Sequence, residues 1–195
     1  MKSRFIATMD LLQEEAKKGD LTLHRVFHLM GEEGHAVLIL FLCLPFMQPL
    51  PIPGLSTPLG FLICVVAYFL FRNRPPWLPK RFENLSISSD VLIKVSEVAE
   101  RIWTYAAKIV KPRFVILHDS TVFRFLNLVV VVANAVLLSL PLPIPFSNTV
   151  PAVAIILSAI GYMEKDGLFI ILSYIWCFIV ASFFATLTIE AIKFI

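Results

Sequence analysis

A proline-rich apolar motif that occurs twice constrains the fold of this chain more than any other feature. The first proline motif spans residues 49–57 and the second spans residues 141–149. Three prolines and a threonine recur at one constant offset, and each copy lies between two hydrophobic stretches. Proline cannot continue a helix and lacks a backbone donor, so each motif predicts the tip of a helical hairpin. Because lipid offers no hydrogen bonds, the carbonyls freed at such a tip must be buried in protein or line a wet cavity.

The composition indicates a membrane protein. Hydrophobic residues make up 58% of the 195 residues and charged residues only 16%, which is too apolar for a soluble domain of this length. The net charge of +3 comes from clusters near the ends of apolar segments, as expected beside anionic headgroups, and this distribution argues against nucleic-acid binding. Cys43, Cys64 and Cys177 lie inside apolar runs without the spacing of a metal or redox site, so we expect small buried side chains and no metal or other cofactor.

The hydrophobic pattern predicts an all-α integral membrane protein with a single membrane domain over residues 1–195. Its expected parts are amphipathic helices in 1–30, a first hairpin in 35–71, an amphipathic linker helix in 86–110, a second hairpin in 123–163 and a transmembrane helix in 168–189. Within the N-terminal part, Asp20 or Thr22 is expected to cap a short helix that ends at the turn of residues 31–34. Only residues 168–189 form an unambiguous span, with about 22 residues and no charge.

The hairpin arms are expected at residues 35–48, 58–71, 125–140 and 150–163. Most have about fourteen residues, whereas a helix needs about 20 to cross the hydrocarbon core. We therefore favour hairpins that re-enter on the side from which they came, with a locally thinned bilayer as the alternative. The basic loop at residues 72–81 indicates the cytoplasmic face. The orientation of the second hairpin stays open, because the two hairpins could enter from opposite faces.

The second arm of each hairpin is expected to begin at its tip, where Thr57 precedes a proline and Asn148 or Thr149 can cap the matching arm. Two helix N-termini brought together inside a membrane would form a site for an anion or a polar headgroup, because each carries unpaired N–H groups and partial positive charge. The alternative is that these residues only cap their own helices and the tips only pack together. The candidate binding residues are Gln48, Pro51, Pro53, Gly54, Ser56, Thr57, Pro143, Pro145, Ser147, Asn148 and Thr149.

Polar and ionisable residues of the apolar arms form a second candidate set. Asn127 and Asn134 are seven residues apart and share one helix face, where they either line a polar path or join helices by hydrogen bonds. Ionisable residues at the hairpin ends either relay protons or are solvated turn residues. These are Glu32, Glu33 and His35 at the start of the first hairpin, and Glu164 and Asp166 at the end of the second.

Four strings of residues are together similar to a known family. They are Gly31-Glu32-Glu33-Gly34, the first proline motif, Arg74-Pro75-Pro76-Trp77-Leu78-Pro79 and Gly161-Tyr162-Met163-Glu164-Lys165-Asp166-Gly167. From about Gly31 to the C-terminus the chain resembles the ExoD family of bacterial membrane proteins, with Phe146 in place of the glycine that would complete the second motif. The resemblance implies a multi-pass protein of the bacterial inner membrane, associated with exopolysaccharide synthesis and alkali sensitivity. It implies no catalytic residues, since the family has no agreed biochemical activity.

The sequence carries no motif typical of an enzyme, such as a Gly-x-Ser-x-Gly elbow, a phosphate-binding glycine loop or paired carboxylates within the apolar segments. We expect a non-enzymatic membrane protein whose hairpin tips form a polar or anion site, for transport or lipid-linked sugar handling during polysaccharide export. The alternatives are a non-transporting scaffold for polysaccharide machinery, and ion or proton movement under alkaline stress. The expected partners are the lipid bilayer, membrane proteins of polysaccharide synthesis and a second copy in a homodimer, since a few short apolar elements make a thin pore wall.

Overall fold

The computed structural model describes residues 4–47, 54, 56–72, 84, 86–106, 110, 113–114, 120–140, 142 and 144–193. Within these residues the chain forms seven α-helices and two short strands, which confirms a mostly helical protein. The helices are α1 (Arg4–Ala16), α2 (Leu23–Cys43), α3 (Ser56–Phe71), α4 (Ser89–Ala106), α5 (Thr121–Ser139), α6 (Thr149–Met163) and α7 (Gly167–Lys193). The strands are β1 (Leu21–Thr22) and β2 (Ser86–Ile87).

The two amphipathic helices α1 and α4 pack against each other. Beside them, β1 and β2 pair antiparallel, and Gln13 Nε2 of α1 donates to Glu100 Oε1 of α4 at 2.7 Å. Both helices contribute buried side chains to the hydrophobic core: Met9, Leu12 and Ala16 from α1, and Leu92 and Trp103 from α4. Both helices therefore pack described apolar side chains against the protein itself.

A carboxylate from the loop after α1 caps the start of α4. Asp20 Oδ1 accepts hydrogen bonds from the backbone N–H and the hydroxyl of Ser89, at 2.9 and 2.8 Å. The first N–H groups of a helix have no intrahelical partner, so this contact satisfies one of them. The backbone bond and then the hydroxyl bond stabilise the carboxylate and hold the pKa of Asp20 below its ordinary value. Thr22, the other predicted cap, starts α2, since its Oγ1 accepts from Arg25 N–H at 3.3 Å.

Helix α2 bends sharply at Gly31, whose φ of 56° and ψ of −136° are not helical. Its segments His24–Gly31 and Gly34–Met47 are bent by 115° relative to each other, and the second segment ends in a 3₁₀ turn at Leu44–Met47. Glycine reaches positive φ without a steric penalty, which allows the bend. The short helix predicted to end at the turn of residues 31–34 does end there, and the second segment corresponds to the expected arm at 35–48.

Two helices of the described chain are long and apolar enough to cross a membrane, namely α5 and the Gly167–Glu190 part of α7. The bent α2 gives a third if its segments are counted as one span. The predicted arm at residues 125–140 began too late, because α5 starts at Thr121 and reaches 19 residues. The predicted arm was begun after Arg124 because of its charge. A long arginine side chain near a helix end can, however, extend its charged group to the membrane–water interface. Helices α3 and α6 match the predicted arms within two residues.

Helices α3 and α5 approach each other at very short range. A Cβ atom on Gly60 would lie 2.1 Å from Ser139 Oγ and 2.8 Å from the carbonyl oxygen of Ala135. One turn further along α3, Cys64 Sγ lies 4.0 Å from the carbonyl oxygen of Val132. Residue numbers rise along α3 while they fall along α5, so the two helices are antiparallel.

A second close contact joins α6 to α7. A Cβ atom on Gly161 would lie 2.8 Å from Ile170 Cγ1 and 2.9 Å from Ile170 N, so only glycine fits. Near the start of α6, Trp176 Nε1 donates to the carbonyl oxygen of Val150 at 2.9 Å. Helix α6 also packs against α2 and α5, and most of its residues are buried. It is therefore the central helix of the described bundle.

Replacing Ser89 with alanine should raise the pKa of Asp20 part of the way towards its ordinary value, because the hydroxyl bond is lost and the backbone bond stays. Carbon-13 NMR titration of the side-chain carboxyl measures this shift. Because the folded-state pKa is depressed, Asp20 stabilises the fold above the ordinary value of 3.8, and this contribution disappears as the pH falls through the folded-state pKa. An unchanged titration would contradict the hydroxyl bond from Ser89 to Asp20.

Replacing Gly60 with alanine should destabilise the protein by about 1–3 kcal/mol, because the methyl group must push α3 away from the backbone of α5. Helix propensity alone predicts the opposite sign, a gain of about 1 kcal/mol. Chemical unfolding in detergent micelles gives the free energy of unfolding, with Ser182→Ala on the exposed face of α7 as the control. A more stable Gly60→Ala variant would refute the close contact.

Candidate functional site

The described residues of the two proline motifs lie at the same end of the helix bundle. Thr57 Oγ1, at the end of the first motif, donates to the carbonyl oxygen of Ser139 at 2.9 Å. Ser139 ends α5 directly before the second motif. Since α3 runs antiparallel to α5, the starts of α3 and α6 share one end of the bundle, which we call the tip end. The described starts of the two second arms therefore lie together, as the sequence predicts for the tips of the hairpins.

The predicted capping role of Thr57 is wrong. Helix α3 begins at Ser56, so Thr57 lies inside the helix and its hydroxyl bonds to α5 instead. Asn148 does precede α6, but its backbone is helical and its side chain makes no capping bond. The amide Oδ1 of Asn148 is buried and has no hydrogen-bond partner among the described residues. Helix capping therefore does not account for Asn148.

The other predicted binding residues are partly described. Ser56 and Ser147 are buried at the tip end, and Ser147 Oγ donates to the carbonyl oxygen of Leu142 at 3.4 Å. Thr149 is the first residue of α6. Gly54 and Pro145 are exposed. Gln48, Pro51, Pro53 and Pro143 lie outside the described residues.

Gly54 and Phe146 occupy the same position of the two motifs, and both have positive φ, 79° and 66°. This conformation suits glycine but costs a residue with a Cβ atom about 1–2 kcal/mol. The Phe146 side chain is 52% exposed, so packing recovers only part of that cost. The phenylalanine noted in the sequence therefore stands in a left-handed turn that favours glycine.

Asn127 and Asn134 lie in the interior of the bundle, both fully buried. Ser158 Oγ of α6 donates to Asn127 Oδ1 at 3.2 Å. Asn134 Nδ2 donates to the carbonyl oxygen of Val130 at 2.8 Å and lies 3.5 Å from Cys177 Sγ of α7. These contacts join α5 to α6 and α7, as in the helix-joining interpretation, while Asn127 Nδ2 and Asn134 Oδ1 have no partner among the described residues. The sequence reasoning missed Ser158, although a serine inside an apolar arm is the signal that could have found it.

Ionisable candidates gather at the opposite end of the bundle, which we call the base end. Glu164 and Asp166 are 8% and 0% exposed, so the interpretation as solvated turn residues is wrong. Asp166 Oδ1 accepts from the Leu168 N–H at 3.0 Å and thereby starts α7. His35 is buried at the beginning of the second segment of α2. The side chains of Glu32 and Glu33 lie outside the described part of the structure.

The tip end and the base end are too far apart to form one site. Helix α6 has 15 residues and therefore separates them by about 22 Å. At the base end, Tyr162 Oη donates to the carbonyl oxygen of Leu70 at 3.4 Å, so α3 and α6 also finish together. The tip end offers hydroxyl and amide groups beside two helix N-termini, whereas the base end holds buried carboxyl groups.

Comparison with known proteins finds similarity over most of the chain. The family model described as "Exopolysaccharide synthesis, ExoD" matches residues 6–186, and thus extends further towards the N-terminus than the motifs, over most of α1. Protein ExoD of Rhizobium meliloti (strain 1021) is 33% identical over 168 residues, which cover 86% of this chain and 70% of that protein. An uncharacterized protein of Synechocystis sp. is 30% identical over 160 residues, which cover 82% of this chain and 74% of that protein. No solved structure matches this chain.

Replacing Phe146 with glycine should stabilise the protein by about 1 kcal/mol, because glycine removes the strain of a positive φ. Thermal or chemical unfolding in detergent measures the change. Phe146→Ala is the matched control, since it removes the same ring but keeps a Cβ atom, and it should give no gain. Equal stability changes in both variants would mean that loss of the ring, and not the backbone conformation, decides the result.

Proposed function

Since this chain belongs to the ExoD family, we propose that it is a multi-pass protein of the bacterial inner membrane that serves exopolysaccharide synthesis or export through a polar site at its tip end. The site uses the N-termini of α3 and α6 and the buried polar residues beside them. Its ligand is the polar or anionic headgroup of a lipid-linked saccharide. The protein holds or passes this headgroup and carries out no chemical step on it.

The relative lengths of the helices support a tip end that lies within the membrane. Helices α3 and α6 reach about 24 and 22 Å, less than the hydrocarbon thickness of about 30 Å. Helix α7 has 27 residues, and Val180 is the last buried residue in its described part. Beyond Val180, α7 therefore extends past the shorter helices. If α7 crosses the bilayer and α5, which ends at the same tip, does not, the motifs end inside it, as in a pair of re-entrant hairpins.

The observation that carries the proposal is the unpaired Oδ1 of Asn148 at the start of α6. Leaving a buried acceptor unsatisfied costs about 1–3 kcal/mol, so native proteins supply a partner from water or a ligand. The first N–H groups of the neighbouring helices are donors with partial positive charge. An acceptor close to such donors suits a sugar hydroxyl that lies next to a phosphate or carboxylate group.

The two alternative functions depend on other parts of the fold. A scaffold that recruits partners through α1 and α4 would have to use their polar faces, because these helices bury apolar side chains against each other and the core. Ion or proton movement is favoured by the burial of Glu164 at the base end. Asp166 fits that role less well, since its Oδ1 already accepts a bond that starts α7.

Replacing Asn148 with leucine should reduce exopolysaccharide production by about tenfold, because a ligand hydroxyl loses its buried acceptor. The variant is expressed in a strain that depends on this chain for production, and secreted polysaccharide is measured per amount of protein inserted in the membrane. Insertion and thermal stability should stay close to those of the unmodified protein, since Oδ1 makes no described bond within the protein.

The matched control is Asn127→Leu, which removes another buried amide of the bundle but breaks a bond to Ser158. It should lower stability while leaving production per inserted protein nearly unchanged. Full production by Asn148→Leu would refute the tip-end site. An equal loss in both variants would mean that helix packing, and not ligand binding, explains the effect.

A further inference from the structure

An apolar groove of about 710 Å³ runs between α3 and α5 on the outside of the bundle. It is lined by Cys64, Tyr68 and Phe69 of α3 and by Leu128, Val129 and Val132 of α5. Its volume falls in the range of about 300–1,000 Å³ that is typical of small-molecule sites. The lining suits a hydrocarbon chain, because every side chain in it is apolar or only weakly polar.

The packing register of α3 on α5 places two arginines at the base end of this groove. Gly60 faces Ala135 and Ser139, and Cys64 faces Val132. Each further turn of α3 meets the preceding turn of α5, so Arg72, just after α3, comes opposite Arg124 in the first turn of α5. The groove therefore has an apolar floor and a cationic mouth.

Both guanidinium groups are available to an anion. The Arg124 Nε atom is buried and has no hydrogen-bond partner among the described residues. Arg72 is exposed, and its Cζ lies 5.3 Å from the ring centre of Tyr68, which lines the groove. Within the described part of the chain, neither arginine pairs with a carboxylate. Besides the groove itself, the buried Nε is a second indication of a ligand, because a buried guanidinium donor without an acceptor costs free energy.

We propose that this groove binds one anionic phospholipid, with an acyl chain along the apolar floor and the phosphate between Arg72 and Arg124. Arginine donates strong, charge-assisted hydrogen bonds to phosphate oxygens. Basic pockets between membrane helices on the cytoplasmic side are a recurring place for anionic lipid headgroups. Any lipid can cover an apolar groove, so the two arginines are what select the anionic one. This site lies about 24 Å along α3 from the tip end and does not depend on the proposed function.

The test measures lipid retention by the full-length protein in detergent, by native mass spectrometry with added phosphatidylglycerol or phosphatidylcholine. The unmodified protein should retain phosphatidylglycerol preferentially. The double variant Arg72→Gln/Arg124→Gln should weaken that retention by about thirtyfold and leave phosphatidylcholine unaffected, since each cation contributes separately. Arg25→Gln removes a surface arginine that pairs with Glu15 and should change nothing.

A second variant tests the groove without touching the charges. Ala133 lines the groove and is exposed, so Ala133→Phe fills the space of the acyl chain and should reduce phosphatidylglycerol retention while both arginines remain. If the double arginine variant fails to fold, Arg124→Gln alone and Ala133→Phe give the same test. Equal retention of both lipids by the unmodified protein overturns the proposal. A second pattern also overturns it. In this pattern inorganic phosphate binding is lost in the arginine variant but kept in Ala133→Phe, and Ala133→Phe retains lipid as well as the unmodified protein does.

Discussion

The close approach of α3 to α5 at Gly60 is the contact on which the rest of the bundle depends. A residue with a side chain fits there only if the two helices move apart, because the space of a Cβ atom is already taken by Ser139 and by the backbone of α5. In a membrane, where lipid tails are as apolar as leucine, such backbone proximity and interhelical hydrogen bonds drive association more than hydrophobicity does. The Thr57 hydroxyl adds one such bond at the tip. Antiparallel packing from this point then sets which residues share each end.

The two ends of the bundle consequently differ in chemistry. The tip end collects helix starts, small hydroxyls and the Asn148 amide, all short and neutral groups that are suited to a polar ligand in a confined space. The base end collects Arg72, Arg124 and the buried carboxyl groups of Glu164 and Asp166, as expected where helices meet charged headgroups. Asn127 and Asn134 lie between these ends and tie α5 to its neighbours. The two ends differ in this way because α3 and α6 are short and both end at the base end.

Much of the secondary structure could be predicted from local chemistry, and the errors have identifiable causes. Prolines and apolar runs delimited α3 and α6 within two residues, because helix breaking depends only on nearby atoms. The start of α5 was misplaced because the charge of Arg124 was taken as the boundary of the helix, although the first turn of a helix tolerates a long charged side chain. Thr57 was misassigned because a hydroxyl can donate to any nearby carbonyl, and Ser139 is 82 residues away. The burial of Asp166 was missed for the same reason, since turn composition does not show what packs over a turn.

The sequence by itself determined that this is a mostly helical membrane protein, that its helices break at two proline motifs, and that it resembles the ExoD family, because composition, periodicity and proline chemistry are local properties. Only the tertiary structure decided that the starts of α3 and α6 lie at one end, that Asn148 keeps a buried acceptor unpaired, and that an apolar groove runs between α3 and α5. These facts depend on the register between helices that are far apart in sequence. That register is set by a few close contacts, such as Gly60 on α5, whose partners no local pattern identifies.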